Sequence, residues 1–287
     1  METILSALGI SKPYTHAPFQ NAEDGAEYAV WRVESAGKCM VLKKAKGSEL
    51  DHYRHFLSDS RGYAPALLGS ASVSGENYLL LEYVPGHDLC RATRDDLTLA
   101  LDAIIAMQLQ NWGIIDTTGS FEKALEGRQN RLPYLRDSQL ELAYEAYLHR
   151  FKVMPRTLCH DDLLPFNVLV AQDRAVMIDW EVAGILPYPT TLARLIAHSE
   201  EQDHAFFYLK QEDRRFAIDY FYEHLAGKMG ISRQQYDRDL ALCLLYEYCE
   251  WVYVGTRYAD SDHDRFRNYL EKARKAAAEI LSKVVLP

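Results

Sequence analysis

The chain has no Cys-x-x-Cys, no long apolar run, no glycine-rich phosphate-binding fingerprint and no excess of basic residues. Its five cysteines, Cys39, Cys90, Cys159, Cys243 and Cys249, are an odd and scattered set. They read as reduced, mostly buried thiols rather than a disulfide frame or a zinc site. No stretch approaches the ~20 apolar residues of a transmembrane helix. The opening METILSALGI lacks the basic and apolar regions of a signal peptide, so a cytoplasmic location is expected. There is no Gly-x-Ser-x-Gly, His-Glu-x-x-His, Gly-x-Gly-x-x-Gly or Walker-type lysine loop, which sets aside the chemistries that those motifs carry. With a net charge of −9, nucleic acid is not an expected partner, because phosphate backbones call for clustered Lys and Arg. That charge would suit a cationic small molecule, and equally a plain acidic surface.

What remains is an ordinary globular composition, 48% hydrophobic and 25% charged over 287 residues, long enough for one large domain or two lobes. The stretch that organises it runs from Thr157 to Ala193, TLCHDDLLPFNVLVAQDRAVMIDWEVAGILPYPTTLA. Polar residues able to do chemistry (His160, Asp161, Asp162, Asn167, Asp179 and Glu181) stand between short apolar runs that read as strands. Phe166–Val170 and Ala175–Ile178 are joined by the turn-like Gln172-Asp173-Arg174, which predicts a hairpin. Such a hairpin brings Asn167, at the start of one strand, close to Asp179, at the end of the other. An amide oxygen and a carboxylate that converge are hard oxygen ligands of the kind Mg2+ takes alongside phosphates and water. Asp162, in the loop before Asn167, is then placed to accept a proton from a nucleophile approaching that phosphate.

His-x-Asp-x-x-x-x-Asn followed by Ile-Asp is also the order of the catalytic segments in protein-kinase-like phosphotransferases. HDDLLPFNVLV with MIDWEVAG more closely resembles the aminoglycoside phosphotransferase and choline kinase family, in which Asp161 is usually glycine. The resemblance implies an α+β, two-lobed protein-kinase-like fold, with a small antiparallel-sheet lobe and a larger, mainly helical one. It also implies Asp162 as catalytic base and Asn167 and Asp179 as metal ligands. Two departures stand out: Asp161 sets a second carboxylate beside the base, and Thr191 stands where the family carries an aspartate that anchors the catalytic loop.

Upstream, residues 27–33 and 39–44 alternate as two strands around Ser35-Ala36-Gly37-Lys38, a second predicted hairpin. Lys43 and Lys44 therefore point to opposite faces. Asn21–Gly25, where a kinase places its phosphate-covering loop, has one glycine and two acids and reads better as a surface turn. Ser48 can cap a helix carrying Glu49 in its first turn, with Leu50, Tyr53 and Leu57 at helical spacing. By resemblance Lys43 would contact the nucleotide phosphates and Glu49 would pair with it, with Asp51 as the fallback. Asn77–Val84 is an almost continuously apolar strand that Pro85-Gly86 ends. It resembles the family's hinge, which implies adenine contacts from the backbone of Glu82, Tyr83 and Val84. The same break divides a nucleotide-binding lobe, 1–84, from a catalytic and acceptor-binding lobe, 85–287.

The second lobe reads as helices: Thr93-Arg94-Asp95-Asp96 caps a periodic run to Trp112, and further patterns cover about 121–130, 137–151, 233–256 and 263–283. Between Leu240 and Asp264 five acids face one arginine with aromatics interleaved. By resemblance Glu247, Glu250 and Trp251 would line the acceptor site and suit a cation. A helix with a solvated acidic face accounts for the pattern equally well. The implied activity is Mg2+-dependent transfer of the γ-phosphate of ATP, or GTP, to a hydroxyl of a small, cationic molecule such as an aminosugar or choline. The alternative is a catalytically silent nucleotide-binding scaffold on the same fold. A protein kinase fits less well, since no Ala-Pro-Glu-like segment follows Asp179.

Overall fold

A computed structural model describes residues 1–20, 27–59, 62–198, 209–258 and 263–284. The Asn21–Gly25 segment and the acids Asp260 and Asp262 lie outside the described residues.

The first lobe is built on a five-stranded antiparallel sheet of β1 (Tyr14–Gln20), β2 (Glu27–Ser35), β3 (Lys38–Lys44), β4 (Leu67–Val73) and β5 (Glu76–Glu82), in the order β1-β2-β3-β5-β4. The β2–β3 turn places both Ala36 and Gly37 at positive φ, 51° and 73°, as a two-residue hairpin with right-twisted strands requires. Alternation along the strands then sorts the two faces. Val33, Met40, Leu42 and Leu80 pack with Leu5 of α1 (Glu2–Ala7) on the outer face. Val41, Leu79 and Leu81 face the rest of the molecule, against Leu50 and Tyr53 of α2 (Glu49–His55). Lys43 lies on this inner face, 9% exposed, whereas Lys44 turns outward to Glu76. Ser48 occupies the N-cap of α2 without a side-chain cap bond, so this helix start rests on its buried contacts rather than on the expected cap.

The chain leaves the sheet at Glu82, and β6 (His87–Asp88) pairs with β8 (Val168–Val170), which also pairs with β9 (Ala175–Met177). A Cβ on Gly86 would stand 2.3 Å from the Val170 carbonyl oxygen, so only glycine lets the connection lie flat against the hairpin. The helical lobe follows. Its first helix, α3 (Arg94–Gln110), opens with a full capping box between Thr93 and Asp96. Next come α4 (Ser120–Gln129) and α5 (Ser138–Phe151), the latter capped by Asp137. β7 (Arg156–Cys159) and β10 (Gly184–Pro187) form a two-stranded ladder beneath the 160–183 stretch. α6 (Thr190–Ile196), α7 (Gln211–Phe221), α8 (Arg233–Arg257) and α9 (His263–Val284) complete the lobe, with α8 and α9 packed together and α5 against both. The predicted 166–170 strand is shorter than expected. Pro165–Asn167 form a 3₁₀ turn, because Pro165 cannot donate to a ladder, and the strand begins at Val168.

Candidate active site

The β8–β9 register pairs Val168 with Met177, and Ile178 N donates to Asn167 O at 2.9 Å. Asn167 and Asp179 are thereby set on adjacent positions at the mouth of the hairpin. The Asn167 amide nitrogen donates to the Asp162 carbonyl oxygen at 2.9 Å, which orients the amide and leaves its oxygen as the end available to a ligand. Asp179 has φ +66°, a left-handed conformation that costs energy outside glycine and recurs at functional positions.

Across the cleft, Lys43 Nζ donates to Glu49 Oε1 at 2.6 Å and to Asp179 Oδ1 at 2.6 Å. One ammonium thus ties β3, α2 and the hairpin together. Burial alone would lower the Lys43 pKa, but the two carboxylates outweigh it and raise it, so the amine stays charged. Burial would likewise raise Asp179, yet Lys43 holds it below the ordinary carboxylate range. A second tie comes from α2: His52 Nδ1 lies 2.6 Å from the Trp180 carbonyl oxygen. Trp180 is fully buried, its indole N–H donating to Met177 O at 2.7 Å, and it packs on His160 at 4.7 Å between ring centroids. Glu181 stays half-buried at the rim, 4.0 Å from Lys46 Nζ.

His160 is fully buried, with Nε2 2.7 Å from the Ile178 carbonyl oxygen. It braces the residue before Asp179 and does not face the cleft as a catalyst would. Burial lowers its pKa from 6.5 to about 4. An unfolded chain takes up a proton below 6.5 that the folded one refuses until about pH 4, so this histidine's contribution is complete above pH 6.5 and is lost as pH falls toward 4. Over that window the loss is on the order of 3 kcal/mol. Thermal unfolding across pH 4 to 7 is expected to fall more steeply for the wild type than for His160→Gln; parallel curves would remove His160 as the source.

The Asp161 and Thr191 departures both have structural partners. Asp161 has φ +53°, a conformation that suits the glycine expected here by resemblance, and its carboxylate pairs with Arg128 of α4. Arg128 is 2% exposed, held between Phe151 and Tyr246 at 4.7 and 4.5 Å from its guanidinium carbon to the ring centroids, and its Nε donates to Tyr147 Oη at 2.9 Å. The Thr191 hydroxyl accepts from the His160 backbone N–H at 3.1 Å, so a neutral acceptor takes up the anchoring contact assigned to the family's aspartate.

Burial raises the Asp162 carboxyl above its usual range, against the pull of Arg194, whose Nη2 lies 2.7 Å from Asp162 Oδ1. The acids expected to receive an acceptor are engaged elsewhere. Glu247 is 1% exposed and paired with Arg194, and Glu250 pairs with Arg131. Trp251 stacks on Tyr269 at 5.5 Å. Of the expected hinge residues, Glu82 has committed its N–H to Ala66 O at 2.9 Å and its carboxylate to Arg174. Tyr83 and Val84 follow this last sheet bond, and Arg32 lies over the Tyr83 ring at 5.2 Å. Arg128, Arg131 and Arg194 escaped the sequence reading. For Arg194 the signal was present, a lone charge within the apolar Leu192–Ile196 run.

A model of the phosphotransferase enzyme family matches residues 19–222, which hold β2 to β5 of the sheet, the lysine and the entire catalytic stretch. The chain belongs to that family. No curated protein sequence matches this phosphotransferase closely enough to count as a relative. Among solved structures it resembles choline kinase LicA from Streptococcus pneumoniae, with 17% identity, TM-score 0.62 and 97% of each chain covered. It also resembles a thermostable mutant of aminoglycoside phosphotransferase APH(4)-Ia in ternary complex with AMP-PNP and hygromycin B, with 15% identity, TM-score 0.59, and 100% of this chain and 99% of that one covered. An aminoglycoside phosphotransferase from Alicyclobacillus acidocaldarius matches at 13% identity and TM-score 0.55, covering 99% and 96%. These likenesses establish the two-lobed kinase-like fold, and the family makes the protein a small-molecule kinase. Among the described residues no helix of this kinase is long and apolar enough to cross a membrane.

Proposed function

We propose that the protein transfers the γ-phosphate of ATP to a hydroxyl group of a small molecule, with Mg2+, in the cytoplasm. Residues 1–84 would form the nucleotide-binding lobe and residues 85–287 the catalytic and acceptor lobe. The observation that carries the reading is the Lys43 ammonium bridging Glu49 and Asp179, on the same hairpin mouth as Asn167 and one short loop from Asp162. Phosphoryl transfer asks mainly for positioning and charge neutralisation, and this set supplies both.

Lys43 would hold the nucleotide's phosphates, with Glu49 fixing its reach, while the backbone of Tyr83 and Val84 would meet the base edge, adenine or guanine. The donor set at the hairpin fits a magnesium ion. One amide oxygen and one carboxylate are hard donors, and no cluster of three or more His, Cys, Asp or Glu side chains among the described residues offers a rival all-protein cage. Asn167 and Asp179 would hold the ion, which when bound neutralises charge on the phosphates. Asp162 would take the proton of the acceptor hydroxyl as its oxygen closes on the γ-phosphorus.

On the acceptor side, a cation would have to compete with Arg131 and Arg194 for Glu250 and Glu247. The test is therefore a coupled assay of nucleoside diphosphate release over amino alcohols, aminosugars and neutral sugars, run with ATP and GTP with and without Mg2+. Turnover on one class that requires the metal supports the reading; no turnover and no nucleotide-induced thermal shift would refute it. Asp179→Ala is expected to lower nucleotide affinity in Mg2+ by at least about tenfold, the loss of one charged metal ligand. Equal Mg2+ dependence in the variant and the wild type would withdraw Asp179 as a ligand.

A further inference from the structure

Arg194 has no part in the mechanism so far, yet it is the group that touches the proposed base. It rises from α6 with its side chain 19% exposed. Its Nε and Nη2 donate to one and the same oxygen, Asp162 Oδ1, at 3.1 and 2.7 Å. Its Nη1 donates to Glu247 Oε2 at 2.9 Å and lies 3.4 Å from His198 Nε2. His198 Nδ1 is in turn 2.7 Å from the Tyr269 hydroxyl on α9. A line of contacts therefore runs from the catalytic loop across α6 and α8 to α9. The loop brings no cation of its own, since Leu163, Leu164, Pro165 and Phe166 fill the space between Asp162 and Asn167.

We propose that Arg194 is a positioning residue for phosphoryl transfer, holding Asp162 by Oδ1 so that Oδ2 faces the acceptor hydroxyl, with Glu247 and His198 bracing the arginine from behind. The inference rests on the proposed role of Asp162 as base. Among the described residues every side-chain hydrogen bond to the Asp162 carboxylate falls on Oδ1. A carboxylate's terminal torsion is broad and two-fold when nothing holds it, so two donors on one oxygen select one orientation. The fixed fork of a planar guanidinium sets two N–H groups on Asp162 Oδ1 and a third on Glu247 at once, whereas a lysine at this position offers a single nitrogen that cannot reproduce all three contacts. In the step itself the acceptor proton passes to Asp162 Oδ2, the acceptor oxygen bonds the γ-phosphorus, and the bond to the bridging oxygen breaks to leave the nucleoside diphosphate. Arg194 neither gains nor loses a proton. Glu247 accordingly acts on the base through Arg194 rather than on the acceptor directly.

The test compares wild type, Arg194→Lys and the double variant Arg194→Met/Glu247→Gln, the last removing both buried charges so that neither is stranded. Each is assayed with Mg2+·ATP and the best acceptor from the panel, and AMP-PNP affinity is measured separately. The expected result is a fall in kcat of about 10²-fold in both variants, as for a misplaced catalytic group, with AMP-PNP affinity within twofold of wild type. Adding methylguanidine to Arg194→Ala should raise its turnover at least about tenfold, and equal methylammonium should not, because only the planar fork restores both contacts. The inference is overturned if Arg194→Lys or the folded double variant keeps kcat within threefold of wild type, or if kcat falls only in step with AMP-PNP affinity. A wild type that turns over no acceptor at all instead defeats the proposed function, and the role of Arg194 falls with it.

Discussion

Asp162→Asn is expected to bind nucleotide as the wild type does and to turn over about 10² to 10⁴-fold more slowly, the usual span for loss of a general base. The substitution is nearly isosteric. Its amide oxygen can still accept from Arg194, and Arg194 keeps Glu247 at 2.9 Å, so the ion network loses one charge without losing its shape. The Asp162 backbone carbonyl, which fixes the Asn167 amide, is untouched. Lys43, Glu49 and Asp179 sit on other elements and hold their geometry. The two readouts therefore separate: kcat collapses while AMP-PNP affinity stays level. Turnover within tenfold of wild type would take Asp162 out of the role of base, and a parallel loss of nucleotide affinity would show that its part is to hold the site together.

The second large effect concerns stability. Arg128→Met is expected to cost about 3–5 kcal/mol, because it strands the Asp161 carboxylate beneath the catalytic loop. The guanidinium is 2% exposed, stacked on two aromatic rings and bonded to Tyr147, so its departure also opens a polar gap among apolar groups. Adding Asp161→Gly to that variant should recover most of the loss. Glycine suits φ +53° without strain, and no carboxylate is then left unpaired. Denaturant midpoints of the three proteins check this. A single variant within 1 kcal/mol of wild type, or a double variant no better than the single one, would contradict the pairing as the reason an acid is tolerated there.

Much of the site could be read from the sequence because its parts are local. A hairpin is a short-range object, and Ala175–Met177 folding back on Val168–Val170 delivers Asn167 and Asp179 with no further information. Lys43 and Glu49 lie six residues apart, where a strand hands over to a helix; alternation shows only that Lys43 and Lys44 face opposite ways, and it is the family resemblance that selects Lys43 and Glu49 as the pair found in contact. Of the five-stranded sheet, the two strands missed, β1 and β4, are its edges. Pro18 in one and Gly69 with three serine and alanine neighbours in the other blur the alternation that marks a strand, and edge positions tolerate such residues. The arginines escaped for a different reason. Arg128 finds Asp161, Arg131 finds Glu250 and Arg194 finds both Asp162 and Glu247 through tertiary packing, and no local pattern encodes which acid meets which base. Composition alone leaves Glu247 and Glu250 looking like open carboxylates awaiting a cation. In the folded chain they are the far halves of ion pairs that reach the catalytic loop and the turn just after α4.

Transfer of a γ-phosphate onto a hydroxyl is the activity proposed for this chain. Phosphorus NMR of the wild type with Mg2+·ATP and the acceptor panel tests it in one tube. The γ-resonance is expected to decline in step with the growth of one new phosphomonoester resonance and of ADP, and Asp162→Asn to leave the spectrum unchanged over the same time. Decline of the γ-resonance into inorganic phosphate alone, at the same rate with and without acceptor, would contradict it.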